Sequence, residues 1–192
     1  MKKDFFAKCA SQWDVLSDEK YRLVKENIIP LLELKNGNRV LDACCGTGVL
    51  IPLLKEARAK ISAIDYCPGM VQKAKSLFGA DTEILMMDVE KLNYGDKTFD
   101  AIICHNAFPH INDKKKAVKE FARVLKNGGI LIISHDENRK KIDALHANCG
   151  GCVAKDTVPS NDEFISFAAA AGFSTVEIFD EEMFFTAVLK RR

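Results

Sequence analysis

Three carboxylates, one glycine-rich turn and four histidines are the residues of this 192-residue chain whose types and spacing could do chemistry. Asp42, Asp65 and Asp88 each follow an apolar run of strand character. Ligands of open α/β sheets sit beyond the carboxyl ends of such strands. One carboxylate there could be a helix cap, but three in register form a set that accepts from hydroxyls, amines and amides. Asp42 runs directly into Ala43-Cys44-Cys45-Gly46-Thr47-Gly48, where glycine lets the backbone approach a ligand because no Cβ intervenes. No Lys or Arg lies between Asp42 and Leu50, which excludes a P-loop. The third glycine of a dinucleotide fingerprint would fall at Ile51, and Asp42 would repel a pyrophosphate. A ligand with a cationic group near Asp42 suits the loop better. The histidines, His105, His110, His135 and His146, all lie after the start of the predicted fourth strand. They are candidates for one pocket on the side of the sheet where a reaction partner would enter, and imidazoles there can take or hold a proton.

These residues need a scaffold, which the apolar periodicity supplies. Strands are predicted into Asp42 and at Lys60–Asp65, Glu83–Met87, Thr98–Cys104, Ile130–Ser134, Phe173–Phe179 and Met183–Leu189. Helices are predicted at Lys3–Asp14, Asp18–Leu34, Val49–Arg58, Pro68–Phe78, Asp113–Leu125 and Asn161–Ala171. Pro30 should kink or end the second, and Asn127-Gly128-Gly129 should stop the fifth. The alternation predicts an α/β fold: a doubly wound, mostly parallel seven-stranded sheet with helices on both faces. The expected organisation is one domain over residues 1–192, with a helical cap at 1–37 and an α/β core at 38–192. A formal net charge of +1 gives no global attraction to nucleic acid or an anionic membrane. No apolar run approaches the ~18 residues of a membrane-spanning helix, and the first residues lack the apolar stretch of a signal peptide. Seven cysteines, two of them adjacent in the ligand loop, read as reduced thiols in a cytoplasmic protein.

The stretch Leu41-Asp42-Ala43-Cys44-Cys45-Gly46-Thr47-Gly48 resembles motif I of the class I S-adenosylmethionine (SAM)-dependent methyltransferases. The resemblance is to the small methyltransferase-domain type related to the ubiquinone and menaquinone methyltransferases. In the family form, glycine stands two, four and six residues after the Asp. Here those positions are Cys44, Gly46 and Gly48, so the first glycine is replaced. The resemblance covers nearly the whole chain, is strongest over 38–135 and is weakest over 136–160. It implies a Rossmann-like methyltransferase fold with an antiparallel last strand, SAM as cofactor and S-adenosylhomocysteine as its product. It also implies roles for particular residues. Asp65 would accept both ribose hydroxyls, with Tyr66 and Met70 flanking the adenine. Asp88 would accept from the adenine amino group, with the Val89 N–H on the ring. Gly46 and Gly48 would pass beneath the methionine part, and Asp42 would lie near its ammonium. Ala43 and Cys44 belong to the same loop, and His105 would reach the cofactor from the end of the fourth strand. Ala10–Asp14 is similar to a family segment that folds over the cofactor, so Trp13 is expected in the pocket wall.

On the acceptor side, the Asn/Asp-Pro-Pro-Tyr/Phe signature of some amino-methylating relatives is absent from Cys104–His110. That argues against adenine in nucleic acid or a glutamine amide as acceptor. No long insertion adds a recognition domain, so the expected partner is a small-molecule acceptor, without nucleic acid or membrane, in a monomer or homodimer. His146, Cys149 and Cys152, with His135, have the residue types of a soft-metal site. The simpler reading, a Gly150-Gly151 turn flanked by thiols and a metal-free pocket, is the expectation here. Two alternatives stay open: methylation of a soft metalloid or metal-bound compound, and a SAM-binding protein without transferase activity.

Overall fold

The structure is a computed structural model that describes residues 2–9 and 17–192. Its strands are β1 Arg39–Ala43, β2 Lys60–Asp65, β3 Glu83–Met86, β4 Phe99–His105, β5 Leu125–His135, β6 Phe173–Asp180 and β7 Phe185–Arg191. Its α-helices are α1 Lys2–Cys9, α2 Asp18–Leu23, α3 Ile51–Glu56, α4 Pro68–Phe78, α5 Lys114–Val124, α6 Arg139–Cys149 and α7 Asn161–Ala171. The strands form one sheet in the order β3-β2-β1-β4-β5-β7-β6. β7 is antiparallel to both of its neighbours, and the other adjacent pairs are parallel. Parallel strands need crossover connections, and these put helices on both faces of the sheet. One face carries Leu41, Ile102, Leu131 and Ile133 against Val118 and Phe121 of α5 and Phe164 and Phe167 of α7. The other carries Val40, Ala101, Ile103 and Ile132 against Val24, Ile28 and the α3 residues Leu53 and Leu54. Val71 and Ala74 of α4 cover Ala63 and Ile84 at the β2–β3 end.

Three departures from the sequence expectation have local causes. Asp18–Leu34 is not one helix: α2 gives way to a π turn at Val24–Ile28 and a 3-10 turn at Ile29–Leu32. Pro30 has no N–H to donate, so the helical ladder must change pitch around it. Helix α5 ends at Val124, before the glycines, and Asn127-Gly128-Gly129 lies inside β5. There Gly128 takes φ +75° and the β4–β5 register jumps between Phe99 and Ala101. Helix α6 was not expected; it buries only Ile142 and His146, so its apolar face is too narrow to read. The first helix is described only to Cys9, and Trp13 lies outside the described residues.

Helix α7 begins with a reciprocal cap. The Ser160 hydroxyl accepts from the Glu163 N–H at 3.3 Å, and the Ser160 N–H donates to the Glu163 carboxylate at 2.8 Å. Ser160→Ala should therefore lower stability by ~1 kcal/mol in urea unfolding. An unchanged midpoint would show that packing of Phe164 and Phe167 alone fixes the helix start.

Candidate active site

All parallel strands point their carboxyl ends to one edge, and there a single cavity of about 470 Å³ opens. At one end it is walled by the turn after β1. Cys44, Gly46 and Gly48 take φ values of +61°, +55° and +89°, so the chain reverses through three left-handed residues. Cys44 has a Cβ and holds this conformation at a cost of about 1–2 kcal/mol. A Cβ built on Gly46 would meet nothing within 4 Å, which leaves its face open to the cavity. A Cβ on Gly48 would fall 2.9 Å from Ile51 and Phe78 side-chain atoms. Gly46 thus keeps space for a ligand, whereas Gly48 lets α3 and α4 pack. The Asp65 carboxylate, at the end of β2, accepts from Gly46 N–H at 3.0 Å and from Cys67 N–H at 2.8 Å. Burial pushes its pKa up, while those two N–H groups hold it down. Tyr66 and Met70, just beyond, line the cavity with Asp88 and Val89. The Tyr66 hydroxyl is buried without a partner, and burial beside Asp65 pushes its pKa up.

The other end of the cavity is walled by all four histidines. His105 Nδ1 lies 2.9 Å from the Ser134 hydroxyl, and the two residues face each other across β4 and β5. Asn106, at φ +53°, ties the loops after these strands together: its N–H donates to Ser134 O and its side-chain oxygen accepts from Asp136 N–H. His110 Nδ1 lies 2.8 Å from Asp156 Oδ2, and His146 Nδ1 lies 2.6 Å from the Asp156 backbone oxygen. Burial pushes His105 and His110 down to about 4, with Asp136 opposing at the first and Asp156 at the second. Burial and the three other imidazoles push His135 further down. At neutral pH His105, His110 and His135 are therefore uncharged. His105 Nε2 and His135 Nε2 are buried without a hydrogen-bond partner. Phe5 and Phe6 of α1 close the cavity from above the sheet edge, and Ile111, Ile142 and Leu145 add apolar wall.

The relatives of this chain bear on the chemistry of this cavity. Residues 41–133 match the family described as a methyltransferase domain. Over 142 residues the chain is 30% identical to a ubiquinone/menaquinone biosynthesis C-methyltransferase of Campylobacter jejuni, covering 70% of this chain and 60% of that one. Over 140 residues it is 27% identical to a demethylmenaquinone methyltransferase of Bacillus cereus, covering 67% and 59%. A SAM-dependent methyltransferase from Aquifex aeolicus shares the fold with a TM-score of 0.77 at 22% identity, covering 97% of this chain and 98% of that one. The chain belongs to the class I SAM-dependent methyltransferases. It spans about three fifths of the length of the two curated relatives.

Of the residues expected at the site, Cys44, Gly46, Asp65, Tyr66, Met70, Asp88, Val89 and the four histidines line this cavity. Asp42, Ala43 and Gly48 do not. Asp42 is 1% exposed and does not line the cavity. Trp13 lies outside the described residues. Cys149 reaches the cavity wall, but Cys152 is exposed and does not. Among the described residues no group of three or more His, Cys, Asp or Glu is placed to hold a metal ion, so His135, His146, Cys149 and Cys152 do not converge on one. Sequence reasoning missed Phe5, Phe6, Ser134 and Asp156, whose roles arise only from contacts across long stretches of chain.

Burial, reinforced by the nearby Asp65 carboxylate, pushes Asp42 up to about 7, and its Oδ2 has no hydrogen-bond partner. The folded state then binds this proton more tightly than the unfolded chain does. Its contribution to stability is present at low pH and is lost as the pH rises from about 4 to about 7. Asp42→Asn should match the wild type near pH 4 and exceed it by ~4 kcal/mol at pH 8 in urea unfolding, at about 1.4 kcal/mol for each pH unit between the unfolded and folded values. A difference that stays constant over that range would contradict a buried, proton-retaining Asp42.

Proposed function

We propose that this chain transfers a methyl group from SAM to a small-molecule acceptor held in the histidine-lined end of the cavity. The observation that carries this reading is the continuity of one cavity from the Gly46–Asp65 cradle to the four imidazoles. The residues present fit SAM: Gly46 leaves room that a Cβ would fill, and the Tyr66 hydroxyl is a buried polar atom without a partner. Asp65 would hold the ribose hydroxyls, because each carboxylate oxygen retains a lone pair beside its backbone N–H. Met70 and Tyr66 would bound the adenine, with Asp88 and Val89 at its edge. When bound, SAM supplies an electrophilic methyl on a sulfonium.

This chain's residues then have three tasks. Phe5, Phe6, Ile111 and Ile142 exclude water and cover an apolar acceptor. Asn106 fixes the loops after β4 and β5, so His105 and His135 keep their places relative to the cradle. The uncharged imidazoles accept hydrogen bonds from the acceptor without repelling a sulfonium. We place the enzyme in the cytoplasm, a reading supported by its free cysteines, Cys44, Cys45, Cys67, Cys104, Cys149 and Cys152. No helix among the described residues is long and apolar enough to cross a membrane.

Calorimetry should show SAM and S-adenosylhomocysteine binding to the full chain. Asp65→Ala should weaken both at least ~100-fold, since charge-assisted bonds contribute about 1.5–3 kcal/mol each and the variant also frees the Gly46 loop. Wild-type affinity in Asp65→Ala would remove the ribose assignment.

A further inference from the structure

His110 is the cavity histidine with a carboxylate behind it. A carboxylate can only accept, so the 2.8 Å contact to Asp156 Oδ2 puts the proton on His110 Nδ1 and leaves a lone pair on Nε2. His146 is fixed in the same tautomer, but by the backbone carbonyl of Asp156, which brings no charge. His105 meets the Ser134 hydroxyl, which can either give or take a proton. Asp156 is itself held: Lys2 Nζ lies 2.7 Å from its Oδ1, and the same ammonium donates to His110 O at 3.2 Å. Burial pushes Asp156 up, but its bonds to Lys2 and His110 outweigh this and keep the carboxylate below the usual range. The network joins α1, the turn after β4 and the chain beyond α6. Further groups face it: the His146 ring at 4.6 Å from His110, the Phe6 ring at 4.9 Å, and Lys114 of α5, which donates to the carbonyls of Pro109 and Ile111.

A histidine with Nδ1–H on a partly buried carboxylate and a lone pair on Nε2 is the geometry of an oriented general base. Resting on the methyl-transfer reading above, we propose that His110, oriented by Asp156, takes the proton from a hydroxyl nucleophile of the phenol or enol class. The cavity wall selects this class. Phe5, Phe6, Ile142 and Leu145 suit an apolar body, and the wall's Lys20 is tied to Asp136 at 3.0 Å and Glu137 to Lys141 at 3.3 Å, so neither Asp136 nor Glu137 is an unpaired charge facing the acceptor. In the reaction the hydroxyl oxygen bonds to the methyl carbon, and the carbon–sulfur bond breaks with its electron pair remaining on sulfur as a thioether. The hydroxyl proton moves to His110 Nε2, and the resulting imidazolium faces Asp156. A buried imidazole is too weak a base to ionise a free phenol. The oxygen becomes far more acidic as its bond to carbon forms, however, so the proton passes late and downhill. Asp156 is then a positioning residue and Lys2 a restraint on it.

The test uses the full chain with SAM and two probe acceptors, phenol and 4-nitrophenol, at about pH 9. There phenol, with a pKa of about 10 like tyrosine, is still protonated, and 4-nitrophenol is ionised. His110→Ala should lower kcat on phenol ~100-fold or more, and on 4-nitrophenolate by less than a tenth of that factor. Asp156→Asn should lower kcat on phenol ~10-fold with KM unchanged, consistent with the low end of general-base effects. Nitrogen-15 NMR should find His110 protonated on Nδ1 in the wild type and in mixed tautomers in Asp156→Asn. Equal losses on the two probes, no loss on either, or a wild-type His110 protonated on Nε2 would overturn the proposal. So would a wild type that binds SAM by calorimetry yet turns over neither phenol. That result leaves the methyltransferase reading standing, whereas absence of SAM binding would fell that reading itself.

Discussion

The turn after β1 is the constraint on which the rest of the site depends. A parallel strand that leads straight into a helix must reverse within a few residues, and here it does so through left-handed backbone at Cys44, Gly46 and Gly48. Such a turn is held by its hydrogen bonds or not at all. Cys45 N–H donates to Ile64 O at 2.8 Å and Gly46 N–H to Asp65 Oδ2 at 3.0 Å, so β2 fixes the loop that β1 launches. The Asp65 carboxylate that lines the cavity is thus also the clamp on the turn. On the proposed ribose role of Asp65, cofactor affinity and local stability would be coupled through one side chain. The same turn explains Cys44. A left-handed residue with a Cβ is tolerated because its side chain packs, partly buried, against the core, where the neighbouring Cys104 thiol and burial push its pKa well up. It is a packing residue rather than a nucleophile.

At the other end of the cavity the governing quantity is desolvation. Four imidazoles lie close enough to oppose one another's charging, and burial keeps His105, His110 and His135 neutral across the physiological range. On the proposed function such a cavity would receive a sulfonium, which a charged imidazole nearby would repel. The ring nitrogens are instead specified by what stands behind them, namely Ser134, Asp156 and a backbone carbonyl. Lys2 links that second layer to α1, so the helix whose Phe5 and Phe6 cover the cavity is fastened to the residue that orients His110.

Much of this was legible in the sequence because it is written in short-range patterns. Strand identity follows from apolar runs such as Ala101–Cys104, buried on both faces, and parallel pairing follows from alternation with helices. Asp65, Asp88 and the four histidines sit at strand ends or just past them, where position alone says which edge they reach. The burial of Asp42 could not be read from a strand end alone: it pairs in register with Ile103 and Ala63 and shares the sheet face of Val40, which packs against Val24, Ile28 and α3. Gly48 misled because a glycine kept for packing and one kept for a ligand look alike until Phe78 is seen against it. Asp156 was illegible: its partners Lys2 and His110 lie 154 and 46 residues away. No local pattern encodes that meeting, and helix α6, which delivers His146 to it, has too little apolar surface to announce itself.

The central claim is that one cavity holds cofactor and acceptor end to end, with the ribose at Asp65 and the reacting centre facing the histidines. A crystal structure of the full chain with S-adenosylhomocysteine tests it most directly. The account predicts both ribose hydroxyls on Asp65 and the sulfur turned toward the space bounded by His105, His110 and His135. A nucleoside bound away from Asp65, or a sulfur facing solvent on the side opposite those imidazoles, would contradict it.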